Sequence, residues 1–432
     1  MIRQFIDTCE KNGERTAFIT GNKRICFQTL LSDVYRMVNL FSARGVERGS
    51  KALLYLLPSY DFYVLMLACI YHGVHIVAPD AYLDKTRLLR IVKEENISFV
   101  FCNRLTGFLQ RGMKKQTPFI NVADFRRYTD KITPADEETE RIVLTTFTSG
   151  TTGEPKPIRR SKAFLKMQIE SIAKNLPTAD CRVAFGSLPI YVLYAVYHGN
   201  TCVIGRKLRK KQMEKYRVDT LFAPIALLLK TKDEFYGVRK VYCGGARLYK
   251  REAEKLQRLF PNGKIFYNYG ASECALIAMT ELEYYIKHGF AMERIAEDIT
   301  LTIEEKDENG VGKIVVQGKD VLTEDGVYYS NDLGYLDEWG LHIVGRSKYS
   351  AFGRYNYLFD DEILSKNQKI KKGFSFVYDG KTYFCYEGKA SEEKEGVRFV
   401  QFRKLPMDAK HKTKLDYYKT AQALQSKKKP QP

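Results

Sequence analysis

The chain has 432 residues, of which 44% are hydrophobic and 28% are charged, as is ordinary for a soluble globular protein of two or three domains. The formal net charge of +19 is not ordinary, because a basic field of that size attracts polyanions such as nucleotides, coenzyme A, acidic carrier proteins, anionic membranes or nucleic acid. The basic residues are spread along the chain rather than clustered, except in the tail QSKKKPQP. This favours solvated surface charge over a dedicated nucleic-acid surface.

The cysteines and histidines indicate neither disulfides nor a metal centre. The nine cysteines form no CxxC pair, and the histidines, His72 and His75 included, show no metal-ligand spacing. No signal peptide opens the chain, and the longest apolar run, residues 63–79, is interrupted by two histidines and a glycine. We therefore predict a cytoplasmic protein without a transmembrane segment.

The first hundred residues alternate between helical and extended patterns. They predict a helix, a hairpin around Gly21-Asn22, a second helix and the strand KALLYLL. Helical spacing over residues 61–71, the strand VHIVAP, the amphipathic helix RLLRIVKEEN and the buried strand ISFVFCN follow. This order predicts βαβ units and a largely parallel sheet.

The alternation resumes later in the chain with KKQMEKYRVDTLFAP, RKVYCGG and GKIFYNYG. Residues 300–346 then change to short β runs with turns, which predict an antiparallel appendage, and a basic α+β segment follows Arg346. We expect an α/β fold: a large N-terminal domain, residues 1–346, with mainly parallel sheets layered with helices plus the β-rich appendage. A small, mobile α+β C-terminal domain, residues 347–432, completes the prediction.

Between the two halves of this pattern lies TTFTSGTTGEPKPIRR, residues 145–160. Glycines let backbone N–H groups turn toward an anion, hydroxyls donate hydrogen bonds and Lys156 neutralises charge, so the composition favours phosphate binding. It is not a Walker A loop, because Gly150 and Gly153 are too close together and Pro155 precedes the lysine. A flexible Ser/Thr/Gly linker is the alternative.

Five segments in order carry a resemblance to a known family. TSGTTGEPK resembles the signature loop of the adenylate-forming superfamily, which includes acyl-CoA synthetases, aryl-acid ligases and peptide-synthetase adenylation domains. GGARL (244–248) is similar to that family's adenine-contacting segment, and NYGASE (268–273) is similar to its YGxTE motif. YSNDLGYLDEWGLHIVGR (329–346) resembles the TGD…GR stretch, and LPMDAKHKTKLD (405–416) the catalytic-lysine motif.

The resemblance implies a reaction of ATP and a carboxylic acid that gives an acyl-adenylate and pyrophosphate, with Mg²⁺ as cofactor. It implies Lys414, Glu273 and Lys156 as catalytic residues, with Glu273 also the magnesium ligand. Lys414 would meet the acyl carboxylate and the α-phosphate. The residues implied in triphosphate binding are Thr148, Ser149, Gly150, Thr151, Thr152, Gly153 and Lys156.

The same resemblance implies the contacts of the nucleoside. Asp332 would accept hydrogen bonds from the ribose hydroxyls, with Arg346 supporting it, and Tyr269 would stack near adenine. Ser272 would face the α-phosphate. The remaining residues implied in nucleotide binding are Gly244, Gly245, Ala246, Gly270 and Ala271.

The chain departs from the family pattern in several places. Val192 stands where many members carry histidine, in a shortened stretch (188–205) that in the family lines the acyl pocket. Tyr349 and Tyr355 replace an aspartate and a glycine after the GR motif, which puts thioester formation with coenzyme A in question. Ser330-Asn331 replaces Thr-Gly before Asp332. Lys348 is the residue implied as the hinge of the C-terminal domain.

The leading hypothesis is a ligase that activates a fatty or aryl acid and passes it to the thiol of coenzyme A or of the phosphopantetheine of an acidic carrier protein. The adenylate could instead be consumed without a thiol, for example by ring closure of a hydroxy acid. A catalytically weakened, nucleotide-binding regulatory paralogue is the alternative from another class. Nucleic-acid binding lacks any recognised module in this sequence.

Overall fold

The computed structural model of the protein describes residues 1–79, 85–104, 117–131, 135, 137–149, 155–319, 321–323, 325–347, 350, 355–407 and 416–428. The chain divides into two compact units. The first comprises Met1–Ala223 and Gly237–Arg239, and the second comprises Pro224–Tyr236 and Lys240–Pro432.

The helices of the first unit begin and end at the caps that the sequence supplies. Ser59 caps the third helix by accepting a hydrogen bond from the backbone N–H of Phe62 at 3.3 Å, and Gly73 ends it with φ +83°. The helices are α1 (Ile2–Lys11), α2 (Phe27–Ala43), α3 (Tyr60–His72), α4 (Lys85–Glu94), α5 (Lys162–Asn175), α6 (Pro189–Tyr197) and α7 (Lys210–Lys215), with a 3-10 helix over Val122–Arg127.

The strands of the first unit form predominantly parallel sheets. One sheet has the order β6-β5-β3-β4-β7-β8, in which β8 runs antiparallel to β7 and the other neighbours are parallel. Elsewhere β11, β9, β10 and β1 are parallel neighbours in that order, and β2 closes a hairpin on β1. The strands are β1 (Thr16–Thr20), β2 (Lys23–Cys26), β3 (Lys51–Tyr55), β4 (His75–Ala78), β5 (Phe99–Cys102), β6 (Phe119–Asn121), β7 (Ile142–Ser149), β8 (Pro155–Ser161), β9 (Val183–Gly186), β10 (Thr201–Ile204) and β11 (Thr220–Pro224).

Helix α3 is buried around its whole circumference except at Asp61, which explains its largely apolar sequence. The ring of Tyr63 lies 5.7 Å from that of Phe18 on β1. Just after α3, the Nε2 atom of His75 lies 2.7 Å from the Thr145 hydroxyl, and burial lowers the pKa of His75 to about 4. Among the described residues, no helix combines the length and the apolar character that a membrane crossing requires.

The second unit contains a β-rich region and a terminal α+β region. Its helices are α8 (Ile225–Leu228), α9 (Lys250–Leu259), α10 (Leu282–Lys287), α11 (Asn356–Lys366) and α12 (Tyr417–Lys428). Its strands are β12 (Lys240–Gly244), β13 (Lys264–Gly270), β14 (Leu276–Glu281), β15 (Ala291–Met292), β16 (Arg294–Ile295), β17 (Ile299–Glu304), β18 (Gly312–Gly318), β19 (Val327–Asp337), β20 (Gly340–Arg346), β21 (Ile370–Tyr378), β22 (Lys381–Gly388) and β23 (Val397–Gln401).

Parallel pairing in this unit joins β12 to β13, and β14 and then β16 continue in antiparallel order. A separate five-stranded sheet, β15-β20-β19-β18-β17, is antiparallel throughout. The predicted α/β fold with an antiparallel appendage is therefore confirmed. The predicted domain boundary between residues 346 and 347 falls inside the second unit and stays a prediction.

The terminal region is a three-stranded sheet, β21-β22-β23, with a helix on each face. Phe384 and Tyr386 pack with Ile363 of α11, whereas Phe376 packs with Leu424 of α12. Strand alternation places these two sets of side chains on opposite faces.

Asp360 of α11 makes the stability of this region sensitive to pH. Its side chain is fully buried, accepting hydrogen bonds from the Ser375 N–H at 2.6 Å and the Tyr249 hydroxyl at 3.1 Å. Burial, the largest cause, raises the pKa of Asp360 to about 8, and the neighbouring carboxylate of Asp361 also raises it.

In the unfolded chain an aspartate has a pKa of about 3.9, so between that pH and about 8 folding takes up a proton. Stability should therefore fall as the pH rises through this window. In Asp360→Asn the amide oxygen can accept from the Ser375 N–H while the NH2 group donates to the Tyr249 oxygen. We expect this variant to lose less unfolding free energy than the unsubstituted chain between about pH 5 and pH 8, measured by urea unfolding. Asp379→Asn, at the exposed β21–β22 turn, is the control, and parallel pH profiles for all three proteins would contradict the prediction.

Candidate active site

The predicted phosphate loop is the tip of a hairpin in the first unit. Strand β7 carries the chain to Ser149 and β8 begins at Pro155, with Thr148 directly opposite Lys156. Lys156 is exposed. The tip residues Gly150, Thr151, Thr152 and Gly153 lie outside the described residues.

Ion pairs fix the base of this hairpin. Glu95 is buried, and its carboxylate lies 2.7 Å from Arg159 and 3.7 Å from Lys51. Arg160 donates to the hydroxyl of Thr146 across the two strands at 2.7 Å. Because these contacts join β8 to its neighbours, Lys156 extends from a rigid base.

In the second unit the predicted adenine segment follows β12. Gly244 is paired with Asn268, and a Cβ on Gly244 would lie 2.4 Å from the Asn268 carbonyl oxygen, so no larger residue fits. Gly245 has φ +82°, a left-handed conformation that glycine adopts without strain. Within residues 244–246 the methyl group of Ala246 is thus the first side-chain atom.

The NYGASE motif ends β13 in an equally tight turn. A Cβ on Gly270 would lie 2.1 Å from the carbonyl oxygen of Ala275, and the N–H of Ala271 donates to that oxygen at 3.1 Å. The turn leaves Ser272 and Glu273 half-buried. The Leu322 N–H donates to the Glu273 carbonyl oxygen at 2.8 Å and so holds the backbone from which the carboxylate extends.

Asp332 lies at the centre of a hydrogen-bonded cluster. Its Oδ2 accepts a hydrogen bond from the Tyr269 hydroxyl at 2.9 Å, and its Oδ1 accepts one from Arg346 Nε at 2.7 Å. Asp332 and Arg346 are directly opposite each other on β19 and β20. Burial and the Asp332 charge raise the pKa of Tyr269 well above its ordinary value, which keeps the phenol protonated as a donor.

This cluster has the chemistry of a hydroxyl-binding site. Each carboxylate oxygen can accept more than one hydrogen bond, which is the property that binding of neighbouring hydroxyls requires. The Arg346 backbone N–H donates to Asn356 Oδ1 at 2.7 Å, which ties the cluster to the start of α11. Tyr269 was predicted from the family resemblance to stack near adenine; its hydroxyl also positions Asp332.

The structure brings together three of the predicted motifs. β12 and β13 are parallel neighbours, so their carboxyl ends place Gly244 and Tyr269 at one edge, and Tyr269 reaches Asp332. Lys414, Lys348 and Tyr349 lie outside the described residues.

The sequence analysis missed two residues at this site. Tyr328 is half-buried, and its pKa is raised by burial first and then by the charges of Glu273 and Asp332. Arg247 follows Ala246 directly, and its guanidinium packs among aromatic rings. The signal that could have identified Arg247 was the presence of an arginine in the otherwise small and apolar motif GGARL.

Comparisons with known proteins identify relatives of the chain by sequence and by fold. Fumosorinone synthetase of Cordyceps fumosorosea is 28% identical over 167 residues, which are 37% of this chain and 4% of that protein, so the chain spans a small fraction of that relative. The 4-coumarate--CoA ligase-like 3 of Arabidopsis thaliana is 25% identical over 425 residues, covering 80% of this chain and 74% of the relative.

Among solved structures, o-succinylbenzoate coenzyme A synthetase (MenE) from Bacillus subtilis, in complex with ATP and magnesium ion, superposes with a TM-score of 0.83. Sequence identity is 19%, with 95% of this chain and 98% of that chain covered, which shows a shared fold. The family of AMP-binding enzymes matches residues 5–324, and the chain therefore belongs to the AMP-binding enzyme family.

Proposed function

We propose that the protein is an ATP-dependent acid–thiol ligase. It activates a carboxylic acid as an acyl-adenylate, releases pyrophosphate, and passes the acyl group to the thiol of coenzyme A or of a carrier protein. The observation that carries the proposal is the Asp332 cluster: a carboxylate held by Tyr269 and Arg346, beside a loop whose backbone is bared by glycines.

The residues present fit ATP and Mg²⁺. Asp332 offers acceptor oxygens to the ribose hydroxyls, and exposed Lys156 offers a cation to the phosphates. Glu273 offers the hard oxygen ligand that Mg²⁺ prefers, on a turn fixed by its own backbone hydrogen bond. A bound Mg²⁺ would neutralise charge on the phosphate oxygens.

In the proposed first step the carboxylate oxygen of the acid forms a bond to the α-phosphorus, and the bond from that phosphorus to the pyrophosphate oxygen breaks. Two anions must approach each other, so positive charge and positioning carry most of the catalysis. Lys156 is proposed to hold the departing phosphates and Lys414 to meet the approaching carboxylate. In the second step the thiol sulfur attacks the acyl carbon, and AMP leaves.

The acid is proposed to be an aryl or fatty acid. In the first unit, Tyr191 stacks on Phe222 with ring centroids 4.8 Å apart, and Tyr194 meets the same ring edge-on at 6.0 Å. Val192, where many relatives carry histidine, is fully buried, and Gly186 lacks the Cβ that would clash with it. Phe222, Tyr194 and Val192 are buried, and aromatic packing in the stretch that lines the acyl pocket in the family supports an apolar acyl group.

The acceptor thiol is proposed to enter past the segment before α11. Tyr355, which replaces a glycine of the family pattern, directs its hydroxyl to Asp307 and lowers the pKa of that carboxyl. Asn309 also donates to the Tyr355 hydroxyl, at 3.5 Å. The Tyr355 side chain is thus engaged by the turn between β17 and β18, which supports retention of the thioester step.

ATP–pyrophosphate exchange across fatty, aryl, hydroxy and amino acids tests this function. We expect exchange with one acid class, and Glu273→Gln should lower its rate about tenfold and raise the Mg²⁺ concentration needed for half-maximal rate. Glu283→Gln, an exposed carboxylate in the first turn of α10, is the matched control. ATP binding without exchange for any acid would favour the regulatory alternative and contradict the proposal.

A further inference from the structure

Arg247 occupies an unusual environment for an arginine. Its guanidinium carbon lies 5.7 Å from the ring centroid of Tyr285, 5.5 Å from that of Phe290 and 5.5 Å from that of Tyr357. Nη1 donates to the carbonyl oxygen of Ile343 at 2.9 Å. Among the ion pairs between described residues, none includes this arginine, and its buried Nε has no hydrogen-bond partner there. Aromatic faces therefore supply most of its stabilisation.

The loop that carries Arg247 is fixed on both sides of it. The Tyr267 hydroxyl donates to the Ala246 carbonyl oxygen at 3.0 Å, and the Tyr285 hydroxyl donates to the Leu248 carbonyl oxygen at 3.1 Å. Tyr285 therefore contacts the loop twice, once through its hydroxyl and once through the face of its ring. The backbone direction of residues 246–248 is set by these contacts together.

The composition of residues 244–246 explains why the direction of their backbone N–H and C=O groups matters. Gly244 and Gly245 have no side chains and Ala246 has a methyl group, so backbone N–H and C=O groups are what this segment can present to a base. Discrimination between bases by backbone groups requires that the groups point in one direction. The residue that holds that direction then contributes to base selectivity without touching the base.

Tyr357 connects this arrangement to the terminal region. It is the second residue of α11, and it supplies one of the three rings around Arg247. Its neighbour Asn356 accepts a hydrogen bond from the backbone of Arg346, whose side chain holds Asp332. The first turn of α11 thus contacts both the adenine loop, through Arg247, and the Asp332 cluster, through Arg346.

We propose that Arg247 is a positioning residue for adenine recognition, and that Tyr357 makes this positioning depend on where α11 lies. The proposal rests on the proposed function, since it assumes that the loop of residues 244–246 reads adenine. It assigns a role to a half-buried arginine that forms no ion pair within the described part of the chain and that the acid-activation chemistry leaves unexplained.

Nucleotide binding without any acid tests the proposal. Dissociation constants for ATP and GTP, each with Mg²⁺, are measured by calorimetry on the full chain. We expect Arg247→Met to weaken ATP binding about tenfold while GTP binding changes little, so that the preference for ATP falls. Arg247→Lys should also lose preference, because an ammonium lacks the planar guanidinium that stacks between rings. Tyr357→Ala should lower the preference in the same direction, and Tyr357→Phe, which keeps the ring, should not.

The possible outcomes distinguish a positioning role from a structural role. A lower melting temperature with an unchanged ratio of the two dissociation constants would mean a structural role alone and would overturn the proposal. If Arg247→Met does not fold, Tyr357→Ala decides by the same ratio. A wild-type chain that binds neither nucleotide overturns the proposed function and this inference together, whereas wild-type selectivity that survives every substitution overturns the inference alone.

Discussion

Asp332→Asn should lower kcat/KM for ATP in the exchange reaction by about a hundredfold, or about 3 kcal/mol, while the KM for the acid changes little. The substitution keeps the shape of the side chain but removes the charge that accepts hydrogen bonds from Tyr269 and Arg346. It also leaves the partly buried Arg346 guanidinium without its counter-charge, which adds to the cost. The amide must present a donor where, in the proposed complex, the carboxylate offers an acceptor to a ribose hydroxyl.

Initial rates of exchange at varied ATP and varied acid concentrations measure this effect. Glu338→Gln is the matched control, since it removes a carboxylate from an exposed position at the turn of the same β19–β20 hairpin. An Asp332→Asn protein with unchanged ATP dependence would exclude the carboxylate from nucleotide binding. Equal losses in both KM values would instead point to a general distortion of the sheet.

Gly270→Ala should be at least as damaging, for a different reason. The new Cβ would lie 2.1 Å from the carbonyl oxygen of Ala275, and its nearest neighbours are all backbone atoms of Ala275 and Leu276, so no flexible side chain can move aside. The turn of residues 271–275 would have to shift, carrying Ser272 and Glu273 with it. We expect a loss of about 3 kcal/mol in unfolding free energy and a loss of roughly a hundredfold in exchange rate.

Gly237→Ala separates this effect from the general consequence of replacing glycine. An added Cβ at Gly237 meets nothing within 4 Å, and its φ is not in the left-handed region. The unfolding free energy of the Gly237→Ala protein should be unchanged or slightly higher, because alanine restricts the conformations of the unfolded chain. Urea unfolding of both variants gives the comparison, and equal stabilities would show that the β13 turn relaxes at little cost.

The local structure of this protein could be predicted from its sequence because periodicity and turn residues specify it. The hairpin at Gly21-Asn22 and the buried helix α3 are examples. Strand order could not be predicted. Phe18 of β1 pairs with Cys202 of β10, and no local pattern encodes a partner that far along the chain. Such pairings are decided by tertiary packing.

The candidate site likewise has features that the sequence could predict and features that it could not. Motif resemblance named Gly244, Gly270 and Asp332 as site residues. It could do so because glycines at close backbone contacts and an acidic residue at a fixed offset can be recognised in the sequence. The hydrogen bond between Tyr269 and Asp332 joins residues 63 positions apart, so the sequence could name both partners but not their contact. The rings around Arg247 come from α10, the turn that follows it and α11, and the sequence could not predict their contact for the same reason.

The strand that carries Lys156 has a second consequence. Among the described strands β8 pairs with β7 alone, so it forms an open border of its sheet. Pro155 and Pro157 lack the N–H groups that a strand from another molecule would need, and the exposed charge of Lys156 repels a second copy. Neutralising Lys156, the proposed phosphate ligand, would also remove protection against self-association, so the solubility of such variants and their proposed affinity for ATP would be linked.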